Sequence, residues 1–155
     1  DGTVTAANSS SISDGASALV LASTDGVTSN SLTPLAKILG HSTHSRDPSE
    51  FTLAPIDAIQ KLLTKVGWAL TDVDLFEINE AFAMVTMLAI REVGIDPAKV
   101  NIYGGACAQG HPIGSTGSRL IVTLVHALKR QGLKRGIAAL CIGGGEATAI
   151  AIELV

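Results

Sequence analysis

From residue 34 onward the apolar residues change period repeatedly. Short unbroken runs alternate with longer stretches at helical spacing, and glycines mark many of the changes. A chain patterned this way lays amphipathic helices over buried strands, because neither element hides its apolar side alone. Strands are predicted over 34–40, 73–78, 100–103 and 137–142. One helix is predicted over 55–67, where Ile56, Ile59, Leu63 and Val66 share a face, and another over 80–94, with Phe82, Val85, Leu88 and Ala89 inward. In a third, Leu120, Ile121, Leu124, Val125 and Leu128 line one side up to Gly132. A glycine-rich loop over 104–117 precedes it, and Gly143-Gly144-Gly145 turns the chain into a fifth strand over 147–155. The order βαβαβαββ is that of an α/β fold. Right-handed crossovers make the first four strands parallel and the tight turn makes the last antiparallel. The expected result is a five-stranded mixed sheet with helices on both faces.

The opening residues do not fit this alternation. Residues 18–22 read as a strand after a small polar stretch over 6–13, and 23–33 form a Ser/Thr/Gly/Asn linker. That strand has no place in the later pattern. Residues 1–25 are therefore expected to close a preceding amino-terminal domain and lead into a linker, with 26–155 forming a carboxy-terminal domain. Residues 41–50, with His41 and His44, read as an exposed loop without a zinc site.

Apolar residues make up 46% of the chain and charged ones 16%, which excludes disorder. The net charge is -3 with no dense Lys/Arg run, so no nucleic-acid partner is expected. No apolar stretch reaches the roughly 18 residues of a membrane span, and residues 1–5 resemble neither a signal nor a transit peptide. Cys107 and Cys141 stand apart without metal-type spacing, so neither a disulfide framework nor a metal site is expected, and a reducing compartment is the simpler reading.

In parallel α/β sheets ligands gather at the carboxyl ends of the strands. Asn79, His111 and Cys141 fall at three successive such ends. His111, in Gly110-His111-Pro112-Ile113-Gly114, is either a loop histidine at a helix start or an acid/base beside a thiol or carbonyl. Cys141 is either inert packing or, beside three glycines whose N–H groups can cradle an oxyanion, an acid/base for a carbon acid. Asn79 is either an N-cap or an amide that holds a water or oxyanion. Glu80 is expected in the first turn of its helix, complementing the dipole, with holding an active-site loop as a second role. Cys107 reads as packing, and His126 as structural or surface.

The segments Thr5-Ala6-Ala7-Asn8-Ser9-Ser10, Asn79-Glu80-Ala81-Phe82, Gly104-Gly105-Ala106 with Gly110-His111-Pro112-Ile113-Gly114, and Cys141-Ile142-Gly143-Gly144-Gly145 together resemble the thiolase family in order and spacing. The resemblance implies a thiolase-fold half and an acyl-CoA acyltransferase activity: thiolysis of 3-ketoacyl-CoA, or Claisen condensation of two acetyl-CoA to acetoacetyl-CoA. It implies that His111 activates a nucleophilic thiol and, with a water on Asn79, binds the thioester oxygen. Cys141 moves the α-proton of the second acyl-CoA, and the Gly143 N–H helps form a second oxyanion hole. Ala6 and Ser10 match positions along the pantetheine path, while Ala81 and Phe82 border the acyl pocket. Phe51 stands where many members carry Met, and Ala7 replaces a usual glycine. Coenzyme A enters as substrate, with no resident cofactor.

Family members carry the acyl group on a cysteine of the amino-terminal half, and neither cysteine here matches its context. The resemblance therefore implies an amino-terminal thiolase half as partner, in a homodimeric or tetrameric parent of the cytoplasm or the mitochondrial or peroxisomal matrix. A catalytically incomplete module for CoA or lipid binding, or for assembly, is the alternative. A ketoacyl-synthase-type enzyme fits less well, because the Cys141 segment places a cysteine as carbon-acid base.

Overall fold

The computed structural model describes residues 2–155. The elements are α1 (Thr24–Ser29), β1 (Ala36–Ser45), α2 (Ala54–Val66), β2 (Leu75–Ile78), α3 (Ala83–Val93), α4 (Ala106–Gln109), α5 (Ile113–Gln131), β3 (Arg135–Cys141) and β4 (Glu146–Leu154). They build a four-stranded sheet in the order β1-β4-β3-β2. β2 runs parallel to β3, and β4 runs antiparallel to both β3 and β1. Three strands thus point one way and the last points back.

Alternate strand residues face opposite sides, and the two sides are filled differently. Phe76, Ile78, Ile137, Ala139 and the alanines of β4 pack with Ile56, Ile59 and Leu62 of α2 and Ala89 of α3. Leu75, Ala138 and Ile152 pack with Leu120, Leu124, Val125 and Leu128 of α5. α2 carries Asp57 in its first turn and Lys65 in its last, each complementing the dipole, and ends at Gly67.

Five expectations change. The run 100–103 is no fifth strand: it contributes a single parallel bridge, Phe76 to Val100. Asn101 ends the pairing at φ 47°. Its side chain accepts from the Ile78 N–H at 2.8 Å and donates to the Ile78 carbonyl at 2.8 Å, so an amide stands in for the next strand residue. Residues 18–22 form no strand: among the described residues they make no β-pairing, and Val20 and Leu21 are exposed. The expected linker contains α1, capped by Ser23 Oγ accepting from Gly26 N. β1 runs on to Ser45, because β4 pairs with it along its whole length, so 41–45 are strand rather than loop. Finally, the loop expected over 104–117 holds α4 and the first turn of α5.

Candidate active site

Because β2 and β3 are parallel neighbours, their carboxyl ends share one edge. The Asn79 N–H donates to Ala139 O at 2.9 Å, continuing the ladder one residue past β2, and Cys141 is the last residue of β3. Asn79 is buried and does not cap α3, whose N-cap is Phe82. His111 lies between α4 and α5, its N–H held by Ser11 O at 2.9 Å, and Pro112 caps α5. Here the Asn79 and His111 side chains meet: Asn79 Nδ2 is 3.4 Å from His111 Nε2. The other ring nitrogen, Nδ1, is 2.7 Å from Thr116 Oγ1.

Burial, with the nearby Arg119 charge, pushes the His111 imidazolium down from its ordinary value, which favours a neutral ring able to take a proton. Burial pushes the Cys141 thiol up, so it holds its proton near neutral pH. The turn after Cys141 is closed by Ile142 N to Glu146 O at 2.7 Å and Gly145 N to Ile142 O at 3.1 Å. Gly143 is exposed, and its N–H makes no backbone hydrogen bond among the described residues. Gly145, at φ 100°, presses against the Arg46 carbonyl, which leaves no room for a Cβ.

The residues proposed to line the substrate path are partly assembled. Ser10 donates to Ala81 O through its N–H at 3.1 Å and its hydroxyl at 3.0 Å, and Ser9 bridges to Phe82. The Phe51 and Phe82 rings meet edge-on with centroids 6.2 Å apart. Ala6 sits in an exposed turn, Ala6–Asn8, without a contact that joins it to the others.

Glu80 precedes α3 rather than opening it. Its carboxylate accepts from Cys107 N at 3.1 Å and Asn101 Nδ2 at 3.3 Å, tying the start of α4 to the end of β2. The Cys107 thiol is half-buried and pushed up by burial and by Glu80, as suits packing. His44 and Arg46 both reach Asp57, at 3.5 and 2.7 Å. No group of three or more His, Cys, Asp or Glu that could hold a metal is found among the described residues.

Two participants escaped the sequence reading. Thr116 holds Nδ1 of His111, and Arg119 donates through Nη2 to Asn79 Oδ1 at 3.4 Å. Both lie on α5, three residues apart and so on one face. Placing the helix start after Gly117 hid that relation.

The family model described as "Thiolase, C-terminal domain" matches residues 32–154. A cytosolic acetyl-CoA acetyltransferase of Mus musculus is 51% identical over 152 residues, covering 98% of this chain and 38% of that protein. A mitochondrial 3-ketoacyl-CoA thiolase of Bos taurus is 45% identical over 153 residues, covering 99% of this chain and 38% of that protein. The crystal structure of a thiolase from Ascaris suum in complex with coenzyme A superposes with a TM-score of 0.94 at 47% identity, covering 99% of this chain and 40% of that one. The chain belongs to the thiolase family, and residues 32–154 are its carboxy-terminal domain. It spans about two fifths of the length of the proteins it matches.

Proposed function

We propose that this chain supplies the acid/base half of a thiolase active site, in an acyl-CoA acyltransferase that cleaves 3-ketoacyl-CoA with coenzyme A or condenses two acetyl-CoA. The observation that carries this reading is the meeting of the buried Asn79 amide with the half-buried His111 ring at the sheet edge where Cys141 ends β3. In the condensation direction, neutral His111 takes the proton of a cysteine supplied by the amino-terminal half. That thiolate adds to the thioester carbonyl, and the departing CoA thiolate leaves with the proton from His111. The thiolate of Cys141, a minor form near neutral pH, then takes the α-proton of a second acetyl-CoA, and the enolate attacks the acyl-cysteine, whose oxyanion meets the Gly143 N–H. The adduct collapses by expelling the cysteine thiolate, which takes that proton back from Cys141. In thiolysis the protonated Cys141 thiol returns that proton to carbon, a role suited to a thiol pushed up by burial.

The relative crystallised with coenzyme A supports CoA as the ligand of the path past Ser10, Ala81 and Phe82. Ala6 extends this path, and Phe51 against Phe82 narrows the acyl end. The partner is an amino-terminal thiolase half, leaving residues 1–25 as its last segment plus linker and 26–155 as the carboxy-terminal domain. The compartment is the cytosol or an organelle matrix, the former like the mouse relative and the latter like the bovine one. No helix of the described residues is long and apolar enough to cross a membrane.

By itself the chain binds CoA without forming an acyl-enzyme, since Cys107 is packed against Glu80 and Cys141 serves the α-carbon. Adding a separate amino-terminal half restores acetoacetyl-CoA thiolysis, and His111→Ala lowers that rate by about 10²–10⁴-fold. An unchanged rate in the variant refutes the role of His111. An acetyl adduct on the isolated chain, read by mass after incubation with acetyl-CoA, refutes its incompleteness.

A further inference from the structure

A neutral histidine does base chemistry only from its unprotonated nitrogen, so the tautomer decides which atom is free. Around His111 the hydrogen-bond chain has two self-consistent directions. In one, Asn79 Nδ2 donates to Nε2, Nδ1–H donates to Thr116 Oγ1, and the Thr116 hydroxyl donates to Pro112 O at 3.0 Å. In the other, the Asn79 amide is flipped, Nε2–H donates to its oxygen, and the Thr116 hydroxyl turns to Nδ1. Seen from His111 alone the two are equivalent in donor count.

Arg119 breaks the tie. A guanidinium has five N–H donors and no acceptor. Its Nη2 stands 3.4 Å from the Asn79 amide, so the amide atom facing it has to be oxygen. The Asn79 NH₂ group is thereby turned to His111 Nε2, which has to accept. We propose that Arg119 is a positioning residue whose contact with Asn79 Oδ1 orients that amide and so holds His111 as the Nδ1–H tautomer, with Nε2 the unprotonated, accepting nitrogen. Glu77 keeps Arg119 in place: it lies two residues before Asn79 on the same side of β2, is 1% exposed, and sets Oε2 3.8 Å from Arg119 Nη1. Thr116 is fully buried, so its hydroxyl has no water to turn to.

The effect on catalysis rests on the thiolase reading of the site; the tautomer does not. The test is long-range ¹H–¹⁵N correlation of the histidine rings at pH 8, in the chain combined with its amino-terminal half. Nδ1–H with bare Nε2 is expected for His111 in the unmodified protein, and Nε2–H there overturns the proposal without any variant. Arg119→Met lowers the Nδ1–H fraction, Arg119→Gln does so with less loss of polarity, and Arg119→Lys, still a donor only, retains it. If the fraction stays unchanged in Arg119→Met, or in Arg119→Gln should the Met variant not fold, the proposal is overturned. In thiolysis, Arg119→Met lowers kcat about 10- to 100-fold, by analogy with the loss of an outer residue that orients a metal-bound histidine, with KM for acyl-CoA little changed. The expected tautomer in a combined protein without thiolysis counts against the thiolase reading alone.

Discussion

Glu77 faces the Arg119 guanidinium across 3.8 Å, and burial pushes its carboxyl up to about 7 from 4.5, against the pull of Arg119 and with the push of Glu80. The folded chain therefore holds this proton to about pH 7, whereas the unfolded chain releases it near 4.5. Its contribution to stability is whole below pH 4.5 and is lost as the pH rises through 7. Urea unfolding at pH 5 and pH 8 should show the loss, on the order of 3 kcal/mol at most at 1.36 kcal/mol per pH unit. Glu77→Gln should flatten the dependence, and an undiminished slope in that variant contradicts the assignment. Glu77 stood in the sequence as a charge inside a run read as a buried strand, a signal that was present but unused. Asn79 was more ambiguous, since the same residue type caps helices. The N-cap position of α3 falling on Phe82, with the distance of Asn79 from His111, separates the two roles.

At the scale of elements, helix and strand types were legible because they follow from local periodicity, and the boundaries shifted where side chains intervened. The Asn101 amide took the place of a strand partner and reduced 100–103 to one bridge. β1 gained length because β4 lay beside it, a neighbour that no local window can see. α5 began at Ile113 despite Gly110, Pro112, Gly114 and Gly117 nearby, since its first turn is anchored by Ser115 and Thr116 N–H groups donating to Pro112 O at 2.8 and 2.9 Å. This helix bears Thr116 and Arg119, so its distance from the sheet matters to the site. It packs tightly on Gly136 of β3, where an added Cβ would stand 2.7 Å from a Leu124 methyl. Gly136→Ala is expected to cost about 1–3 kcal/mol through overpacking, measured by urea denaturation. A variant as stable as the parent would show that α5 shifts freely.

On the scale of the whole molecule, α2 and α3 cover one face of the sheet, whereas α5 covers mainly the β2–β3 side of the other and reaches Ile152 of β4. His41 and Thr43 of β1 stay exposed, and so do Ile12, Val20, Leu21, Leu35, Ile38 and Ile113. Under the proposed function these exposed apolar side chains meet the amino-terminal half, as an interface would. Sedimentation should find the isolated chain self-associated and the mixture of both halves as a stoichiometric complex of lower dye-binding surface. A stable monomer of the isolated chain that binds no hydrophobic dye contradicts this.

The amino-acid sequence by itself determined the α/β alternation, the direction of the last strand against the others, and the placement of Asn79 and Cys141 at the carboxyl ends of two strands. These follow from backbone geometry and from periods only a few residues long. Tertiary structure alone decided that β4 separates β1 from β3, that a side-chain amide replaces the fifth strand, and that Arg119 reaches Asn79 across the α5–β2 contact. Those outcomes depend on donors meeting acceptors between segments far apart in the chain. Such pairings are selected by the packing of helix on sheet and leave no local pattern in the residues that make them.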